Sequence, residues 1–188
     1  MRKIVLHPDP VLREKTKEIE FVDKVFSEEV ADLLKILEKS MGVGLAAPQI
    51  GISKRMMAMK DTETKKVSLY VNPKIEKYYG NSIFPVIVDD NNNEEDFLEG
   101  CLSFPNYWGT VKRFLKIKVS YKELRGEKLI KKEREMSGYE AIVFQHEYDH
   151  LDGILFVDRI KEDKGKFFKS VGKEMKKADL EAVIEGKL

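Results

Sequence analysis

The amino-acid sequence predicts one α+β domain over residues 1–188. Two observations support this fold class: two segments have helical features, and short β-like runs occupy much of the chain between them. The length is sufficient for one domain with a sizeable core, and neither an internal repeat nor a linker divides the chain. We therefore expect helices and sheets to pack into a single unit.

The first predicted helix covers residues 27–41. Its apolar residues recur at intervals of three and four, so they share one helical face. Ser27 stands at the N-cap position, and Glu28 and Glu29 suit the positively polarised first turn. Gly42 is placed to end this helix.

Short apolar and β-branched runs predict strands in the middle of the chain. Residues 115–121 are the clearest example, because apolar side chains alternate there with lysines and a serine. A turn at residues 124–127 predicts a hairpin with the run that follows. The acidic, Asn-rich residues 89–96 predict a surface loop. The predicted strands are residues 55–59, 67–71, 84–88, 115–121 and 128–132.

A second helix is predicted over residues 141–151. Ser137 and Glu140 have the spacing of a capping box at its start, and Gly153 is placed to end it. A third, more polar helix is predicted to begin at about residue 163 and to cover much of 163–185.

Composition excludes several classes of protein. The sequence has 34 Lys and Arg against 33 Asp and Glu, and this net charge of +1 argues against a dedicated nucleic-acid binder. A hydrophobic content of 42% argues against disorder, and no apolar run is long enough to span a membrane. The single cysteine, Cys101, excludes an intrachain disulfide, and the N-terminus lacks the pattern of a signal peptide. We therefore expect a cytoplasmic protein.

The predicted second helix contains His146-Glu147-Tyr148-Asp149-His150. Residues four apart lie on one face of a helix, so both imidazoles can bind one divalent metal ion, with Glu147 beside it. Two histidines leave such a site short of a third protein ligand. Asp152, Asp158 and Cys101 are the candidates that the sequence offers.

A third segment, residues 42–51, is rich in small residues and contains the amide side chain of Gln49 in an apolar run. Small residues permit a close approach of the backbone to another group. A phosphate-binding loop is the competing interpretation, but the segment follows a helix and lacks the Lys-Ser/Thr pair of such loops.

Residues 42–49, 99–103 and 145–151 together resemble the three motifs of the peptide deformylase family, in the same order. The resemblance implies a fold of mixed and antiparallel sheets around a central helix that carries the two histidines. It also implies a metallo-hydrolase that removes the N-formyl group from the N-terminal formylmethionine of nascent polypeptides and releases formate.

The resemblance implies that Cys101, His146 and His150 are the metal ligands, with water in the fourth position. It implies one divalent metal, with Fe2+ as the physiological ion and Zn2+, Ni2+ or Co2+ able to replace it. Ligand chemistry alone does not choose among these ions, because one thiolate and two imidazoles suit several of them.

The resemblance assigns catalysis to three further positions. Glu147 is the general base, and the Gln49 amide and the backbone N–H of Leu102 stabilise the oxyanion. Gln145 and Glu99 are expected to support the ligands from behind, with Arg113 as the partner of Glu99.

An extended formyl-methionyl substrate is expected to lie beside the Gly44 segment. Its side chain needs an apolar pocket. The family's pocket positions match Val43, Gly44, Phe97, Tyr139, Ile142 and Val143.

This chain departs from the family pattern at Phe104, which follows Ser103 where members commonly have a small β-branched residue, and at Trp108, where many members have a basic residue. The segment 80–96 is also longer than is usual in the family, and an insertion is the simplest interpretation. Trp108 would favour stacking or apolar contacts with later substrate residues.

Formylated nascent peptides are the expected partners. Residues 161–177 contain seven lysines and three acidic residues, a net charge of 7 − 3 = +4, and a transient contact with the ribosome is one interpretation of this segment. A solvated helix face is the other. Neither a membrane nor a sequence-specific nucleic acid is expected as a partner.

Two rival functions remain at this point. A zincin-type peptidase shares His-Glu-x-x-His but takes its third ligand downstream of the helix, where no later histidine exists in this sequence. A protein with a structural metal site would need a fourth ligand. The identity of the third ligand separates these alternatives.

Overall fold

The computed structural model describes residues 2–187, so the first and last residues of the predicted domain lie outside it. The described chain combines α-helices with antiparallel sheets, and most of its strands follow one another between the first and second α-helices, which confirms the α+β fold class. Short 3-10 helices form at Pro10–Arg13 and Ala47–Ile50. The α-helices are α1 (Lys24–Lys39), α2 (Gly138–Leu151), α3 (Phe156–Asp163) and α4 (Leu180–Ile184).

Eleven strands of the described chain form three antiparallel sheets. The first sheet has, in hydrogen-bonded order, β1 (Gly44–Ala46), β2 (Met56–Lys60), β3 (Val67–Tyr79), β8 (Lys116–Arg125) and β9 (Lys128–Ser137). The second has β11 (Glu174–Lys177), β10 (Phe167–Val171), β7 (Phe104–Gly109) and β6 (Glu99–Cys101). A two-stranded hairpin joins β4 (Val86–Val88) to β5 (Glu94–Asp96).

Three apolar clusters hold these elements together. The first joins α1 to β1 and β2, and the second joins α2 to β2, β8 and β9. The third packs α3 and α4 against β7 and β10. Helix α2 is mostly buried, including both of its histidines, so its polar side chains face protein rather than bulk water.

The first helix begins earlier in the chain than the sequence predicted. It begins at Lys24, and the Asp23 carboxylate accepts a hydrogen bond of 2.6 Å from the backbone N–H of Phe26. The prediction that Ser27 is the N-cap and Met41 the last residue is therefore wrong. Asp23 is as good a capping residue as Ser27, and the apolar periodicity alone did not distinguish the two.

The predicted strands all correspond to strands, with different ends. The predicted hairpin is confirmed: β8 and β9 pair from Lys116 with Ser137 to Arg125 with Lys128. The prediction of a loop over 89–96 is wrong at its end, because Glu94–Asp96 pairs with Val86–Val88. Exposed acidic residues disfavour a strand only weakly when a β-branched partner strand supplies the pairing.

The predicted helix over residues 163–185 is wrong. Phe167–Val171 and Glu174–Lys177 form a β-hairpin, and beyond Asp163, the last residue of α3, only Leu180–Ile184 is helical. Phe167 is buried, stacks on Tyr107 of β7 with ring centroids 5.4 Å apart, and pairs in register with Gly109. This pairing with a distant strand outweighs the helical propensity of the lysines.

The start of α2 differs in one detail from the prediction. Ser137 is the N-cap, but its side chain makes no capping hydrogen bond. Glu140 instead accepts two hydrogen bonds from Arg134, at 2.7 and 2.8 Å. The predicted capping box is therefore wrong, since β9 presents a competing cation. None of the helices in residues 2–187 combines the length and apolar character needed to cross a membrane.

Candidate metal centre

The two histidines and the cysteine come together in the structure. His146 and His150 lie one turn apart on α2, with ring centroids 5.1 Å apart, and Cys101 ends strand β6 opposite them. Their ligand atoms all lie within 4.8 Å of one another, and Cys101 Sγ is 3.3 Å from His150 Nε2. The sequence placed two of these residues by helical spacing, and the sheet brings the third.

Glu99 fixes the orientation of His146. The Nδ1–H of His146 donates to the Glu99 carboxylate at 2.8 Å, which leaves Nε2 as the free ring nitrogen. Arg113 donates from Nε and Nη2 to the same carboxylate at 2.8 and 3.0 Å. The predicted contact between Glu99 and Arg113 is confirmed, and this buried pair lies beside the ring of His146.

Sequence reasoning missed two further residues that continue this series of ion pairs, Asp149 and Arg159. Arg113 Nη1 donates to Asp149 at 2.6 Å, and Arg159 of α3 donates to Asp149 from Nη2 at 2.7 Å. Asp149 is buried, between the two histidines in sequence. An aspartate that directly precedes a buried histidine was the available signal, because a buried carboxylate requires a cationic partner.

The electrostatics of Glu99 follow from these partners. Burial alone would raise the pKa of the Glu99 carboxyl, but Arg113 and His146 outweigh it and lower this pKa to about 2. Glu99 is therefore an anion at neutral pH, and it supplies a permanent negative charge to the back of His146.

Glu147 has a different environment. It is buried, and its Oε2 atom has no hydrogen-bond partner within the described part of the chain. Burial raises the pKa of this carboxyl to about 7. A carboxyl with this pKa exchanges protons readily near neutral pH, as a general base must.

Gly44 makes room for Glu147. A Cβ atom at Gly44 would lie 2.3 Å from Glu147 Oε1, which no folded protein tolerates. The glycine therefore allows strand β1 to run against the carboxylate.

The side chain of Gln49 also lies close to Cys101. Its Oε1 accepts a hydrogen bond from the backbone N–H of Ala46 at 2.8 Å, which directs Nε2 toward Cys101 Sγ at 3.4 Å and Ser103 Oγ at 3.5 Å. The amide N–H groups therefore point at the cluster of ligands.

The structure also decides among the candidate third ligands. Asp152 pairs with Arg55 at 2.9 Å, and Asp158 pairs with Arg13 and accepts from the backbone N–H of Leu155 at 2.8 Å. Within residues 2–187, Cys101 is thus the residue that joins the histidines. This ligand set differs from that of a zincin, and three ligands fall short of a closed structural site.

The side-chain hydrogen bonds of Gln145 within residues 2–187 go to backbone groups and not to a ligand side chain. Its side chain exchanges two hydrogen bonds with the backbone of Phe114, at 3.1 and 2.8 Å, and donates to Ala141 O at 2.8 Å. The expectation that Gln145 supports the ligands directly is therefore wrong. It ties α2 to the segment that precedes β8.

One cavity of about 520 Å3 opens onto this cluster. Cys101, Leu102, Gln49, His146 and Glu147 lie on its wall. All six residues expected to form an apolar pocket line the same cavity: Val43, Gly44, Phe97, Tyr139, Ile142 and Val143.

The residues present fit a divalent metal ion. One sulfur and two imidazole nitrogens converge, and Glu99 sets the tautomer of His146. The cluster lies on the wall of a cavity that a substrate can enter. A soft thiolate with two imidazoles is a donor set for Fe2+, Zn2+, Ni2+ or Co2+ rather than for Mg2+ or Ca2+.

Comparison with known proteins agrees with this geometry. The family model described as "Polypeptide deformylase" matches residues 1–166. "Peptide deformylase" of Desulforudis audaxviator is 39% identical over 157 residues, which are 84% of this chain and 92% of that protein. "Peptide deformylase 1B, chloroplastic/mitochondrial" of Arabidopsis thaliana is 37% identical over 85% of this chain and 54% of that protein.

Solved structures show the same fold. The crystal structure of peptide deformylase from Thermotoga maritima has a TM-score of 0.71 and 36% identity, and it covers 85% of this chain and 97% of that one. A peptide deformylase from Synechococcus elongatus, in complex with actinonin, has a TM-score of 0.70 and 34% identity over 84% of this chain and 78% of that one. The chain belongs to the polypeptide deformylase family, the metal-dependent hydrolases that remove the N-formyl group from nascent polypeptides.

Proposed function

We propose that the site formed by Cys101, His146, His150 and Glu147 hydrolyses the formamide bond of N-terminal formylmethionine and releases formate. The observation that carries this proposal is the convergence of the three ligand atoms within 4.8 Å at the wall of a cavity that also contains Glu147. The nascent formylated peptide is the substrate.

Cys101, His146 and His150 would hold one divalent metal ion, which we propose to be Fe2+, with Zn2+, Ni2+ or Co2+ able to replace it. Such an ion would supply Lewis acidity toward the formyl group and toward water. The Glu99 carboxylate binds Nδ1–H of His146 at 2.8 Å and so leaves Nε2 free to serve as the ligand atom.

Glu147 moves the protons of the reaction. Its carboxylate takes a proton from the attacking water as the new C–O bond forms, and it delivers that proton to the amine nitrogen as the C–N bond breaks. The buried, unpartnered Oε2 atom supports this role. The products are formate and the free N-terminal amine of the peptide.

Gln49 and Leu102 stabilise the charge that develops on the formyl oxygen. The Gln49 Nε2 group lies 3.4 Å from Cys101 Sγ, and Leu102, whose backbone N–H is the second donor, follows Cys101 on the cavity wall. One such donor commonly stabilises the transition state by about 3–4 kcal/mol.

The substrate's methionine side chain occupies the apolar part of the cavity. Phe97 and Tyr139 pack edge to face there, with ring centroids 5.8 Å apart. Ile142 and Val143 lie one turn before His146, so the methionine pocket and the metal site share helix α2. We expect this close wall to exclude acyl groups larger than formyl.

The protein acts in the cytoplasm, where nascent chains emerge, and it makes a transient, phosphate-directed contact with the ribosome. The exposed lysines around the β10–β11 hairpin support this contact, which needs no sequence-specific nucleic-acid recognition. Cosedimentation of the protein with ribosomes should weaken when Lys169, Lys173 and Lys176 are replaced by Gln; unchanged cosedimentation would remove the contact from the proposal.

A formate-release assay tests the hydrolase directly. We expect the iron-loaded protein, kept anaerobic, to release formate from a formyl-Met-Ala peptide and to release almost no acetate from the acetyl-Met-Ala peptide. The acetylated peptide is a matched control, since it differs by one methyl group. Equal rates on both peptides would contradict a site shaped for the formyl hydrogen.

A further inference from the structure

The single tryptophan of the chain, Trp108, faces away from the core. In β7 the adjacent Tyr107 side chain is buried in the third apolar cluster, whereas Trp108 is 40% exposed. Successive residues of a strand point to opposite faces. Trp108 therefore places a large aromatic ring where the stability of the core does not require one.

The indole ring lies directly on strand β6. Trp108 pairs in register with Gly100, and a Cβ atom at Gly100 would lie only 2.7 Å from the ring. Any other residue at position 100 would displace the ring. Because Gly100 has no side chain, the indole can lie against the backbone of β6, next to the metal-binding Cys101.

The same cavity contains both the metal site and this ring. Its wall runs from Glu147 and Cys101 outward to Asn106 and Trp108. A volume of about 520 Å3 is typical of cavities that hold drug-sized ligands, so there is room for more than a formyl-methionyl group. Asn106 and Trp108 are both exposed, so this end of the wall reaches solvent and is accessible to substrate residues after the methionine.

We propose that Trp108 determines specificity by packing against an apolar side chain at the second or third position of the formylated peptide. This inference rests on the proposed function. An extended chain advances about 3.3 Å per residue and directs successive side chains to opposite sides, so one of the two residues after methionine faces the indole. An aromatic contact of this kind favours aromatic and branched aliphatic residues over small or acidic ones.

Kinetics with two peptide series test the preference. The series are formyl-Met-X-Ser-Ser and formyl-Met-Ser-X-Ser, with Phe, Leu, Ala or Asp as X. In the series whose variable residue faces the indole, we expect kcat/KM to be about five- to tenfold higher for Phe and Leu than for Ala. Trp108→Ala should abolish this difference through KM with kcat unchanged, because the contact is equally strong in the ground and transition states.

Two variants separate recognition from a structural effect. Trp108→Phe should retain a reduced preference, since it keeps an aromatic ring on Gly100. Phe21→Ala removes an aromatic side chain that is 69% exposed and does not line the cavity, and it should leave the preference intact. A Trp108→Ala protein that loses activity equally on every peptide would overturn the proposal.

Because Trp108 is the only tryptophan, its fluorescence reports binding without turnover. In the Glu147→Ala protein, the preferred formyl-Met peptide with X as Leu should shift the emission to shorter wavelength, and the peptide with X as Asp should not. An unchanged emission with every peptide would contradict the proposal. Formate release without any preference would contradict Trp108 recognition alone, whereas a fluorescence shift without formate release by the wild type would contradict the hydrolase function alone.

Discussion

The Nδ1–H of His146 donates to the Glu99 carboxylate at 2.8 Å, and this bond is the first of a series that ends at the protein surface. Arg113 joins Glu99 to Asp149, which lies three residues after His146 on the same helix. Arg159 of α3, whose side chain is 33% exposed, then binds Asp149. Two anions and two cations alternate, so the buried charges are balanced in pairs.

This series predicts that Arg159 positions the metal ligand from a distance. Loss of its guanidinium would leave Asp149 with one cation fewer and loosen Arg113 and Glu99 behind His146. We expect Arg159→Ala to weaken Co2+ binding by about tenfold and to alter the visible absorption spectrum of the bound Co2+. Arg159→Lys should recover part of the affinity.

Arg125→Ala is the matched control for this experiment, because Arg125 lies at the exposed β8–β9 turn and, within residues 2–187, pairs only with Glu123. It should bind Co2+ as the wild type does. If Arg159→Ala also kept the wild-type affinity and spectrum, the surface arginine would have no influence on the site.

A second prediction concerns Glu147. Glu147→Gln keeps the shape of the side chain but removes the atom that accepts the proton. We expect kcat to fall by about 10²–10⁴-fold while the protein still binds one metal ion per chain. Metal content by elemental analysis and formate release by a coupled assay check both parts. A metal-loaded variant with wild-type turnover would exclude Glu147 as the base.

Gly44 provides a third prediction, in which the reacting groups keep their chemical identity and only the position of Glu147 changes. The added methyl group of Gly44→Ala would lie 2.3 Å from Glu147 Oε1 and must push the carboxylate away. A displacement of about 1 Å can cost about 100-fold in rate, so we expect a loss of kcat of that order. Unfolding and metal content should be followed in parallel, because retained activity in a folded, metal-loaded variant would show that Glu147 tolerates the displacement.

The pH dependence of stability is predicted at His7, which is buried far along the chain from the ligands. Its Nε2–H donates to Val183 O at 3.0 Å, and its ring stacks on Phe104. Burial lowers the pKa of His7 below its ordinary value of 6.5. Between the lowered value and 6.5 the unfolded chain binds more protons than the folded one, so the free energy of unfolding decreases as pH falls through this range.

Chemical unfolding at several values between about pH 7.5 and about pH 5 measures this effect. We expect His7→Gln to be less stable than the wild type at the upper end and to lose less stability on acidification. Parallel curves for the two proteins would show that His7 does not titrate in this range.

Local geometry accounts for one part of the site that the sequence predicted, because helical spacing alone brings His146 and His150 together. The expected pairing of Arg113 with Glu99 spans 14 residues and rests instead on the roles that the family resemblance implies. Asp149 and Arg159 were missed because their pairing is set by how α3 packs on α2, which no local pattern encodes. Gln145 was misassigned for the same reason, since its partner is the backbone of Phe114.

The fold follows the same division. The alternation in β8 predicted a strand, because a half-buried strand needs only its own pattern. The C-terminal hairpin was predicted as a helix, since its lysines favour helix and its strand state depends on β7, about sixty residues earlier. Glu140 likewise fits a local capping pattern, but its carboxylate accepts hydrogen bonds from Arg134 of the preceding strand instead.

The most direct test of the metal-dependent hydrolase is an anaerobic titration of metal-free protein with Fe2+, with formate release from formyl-Met-Ala as the readout. We expect activity to rise from near zero and to saturate at one Fe2+ per chain in the wild type, and to need far more Fe2+ in Cys101→Ser. Formate release that does not depend on added metal, or that saturates identically in Cys101→Ser, would contradict catalysis by a metal ion bound to Cys101, His146 and His150.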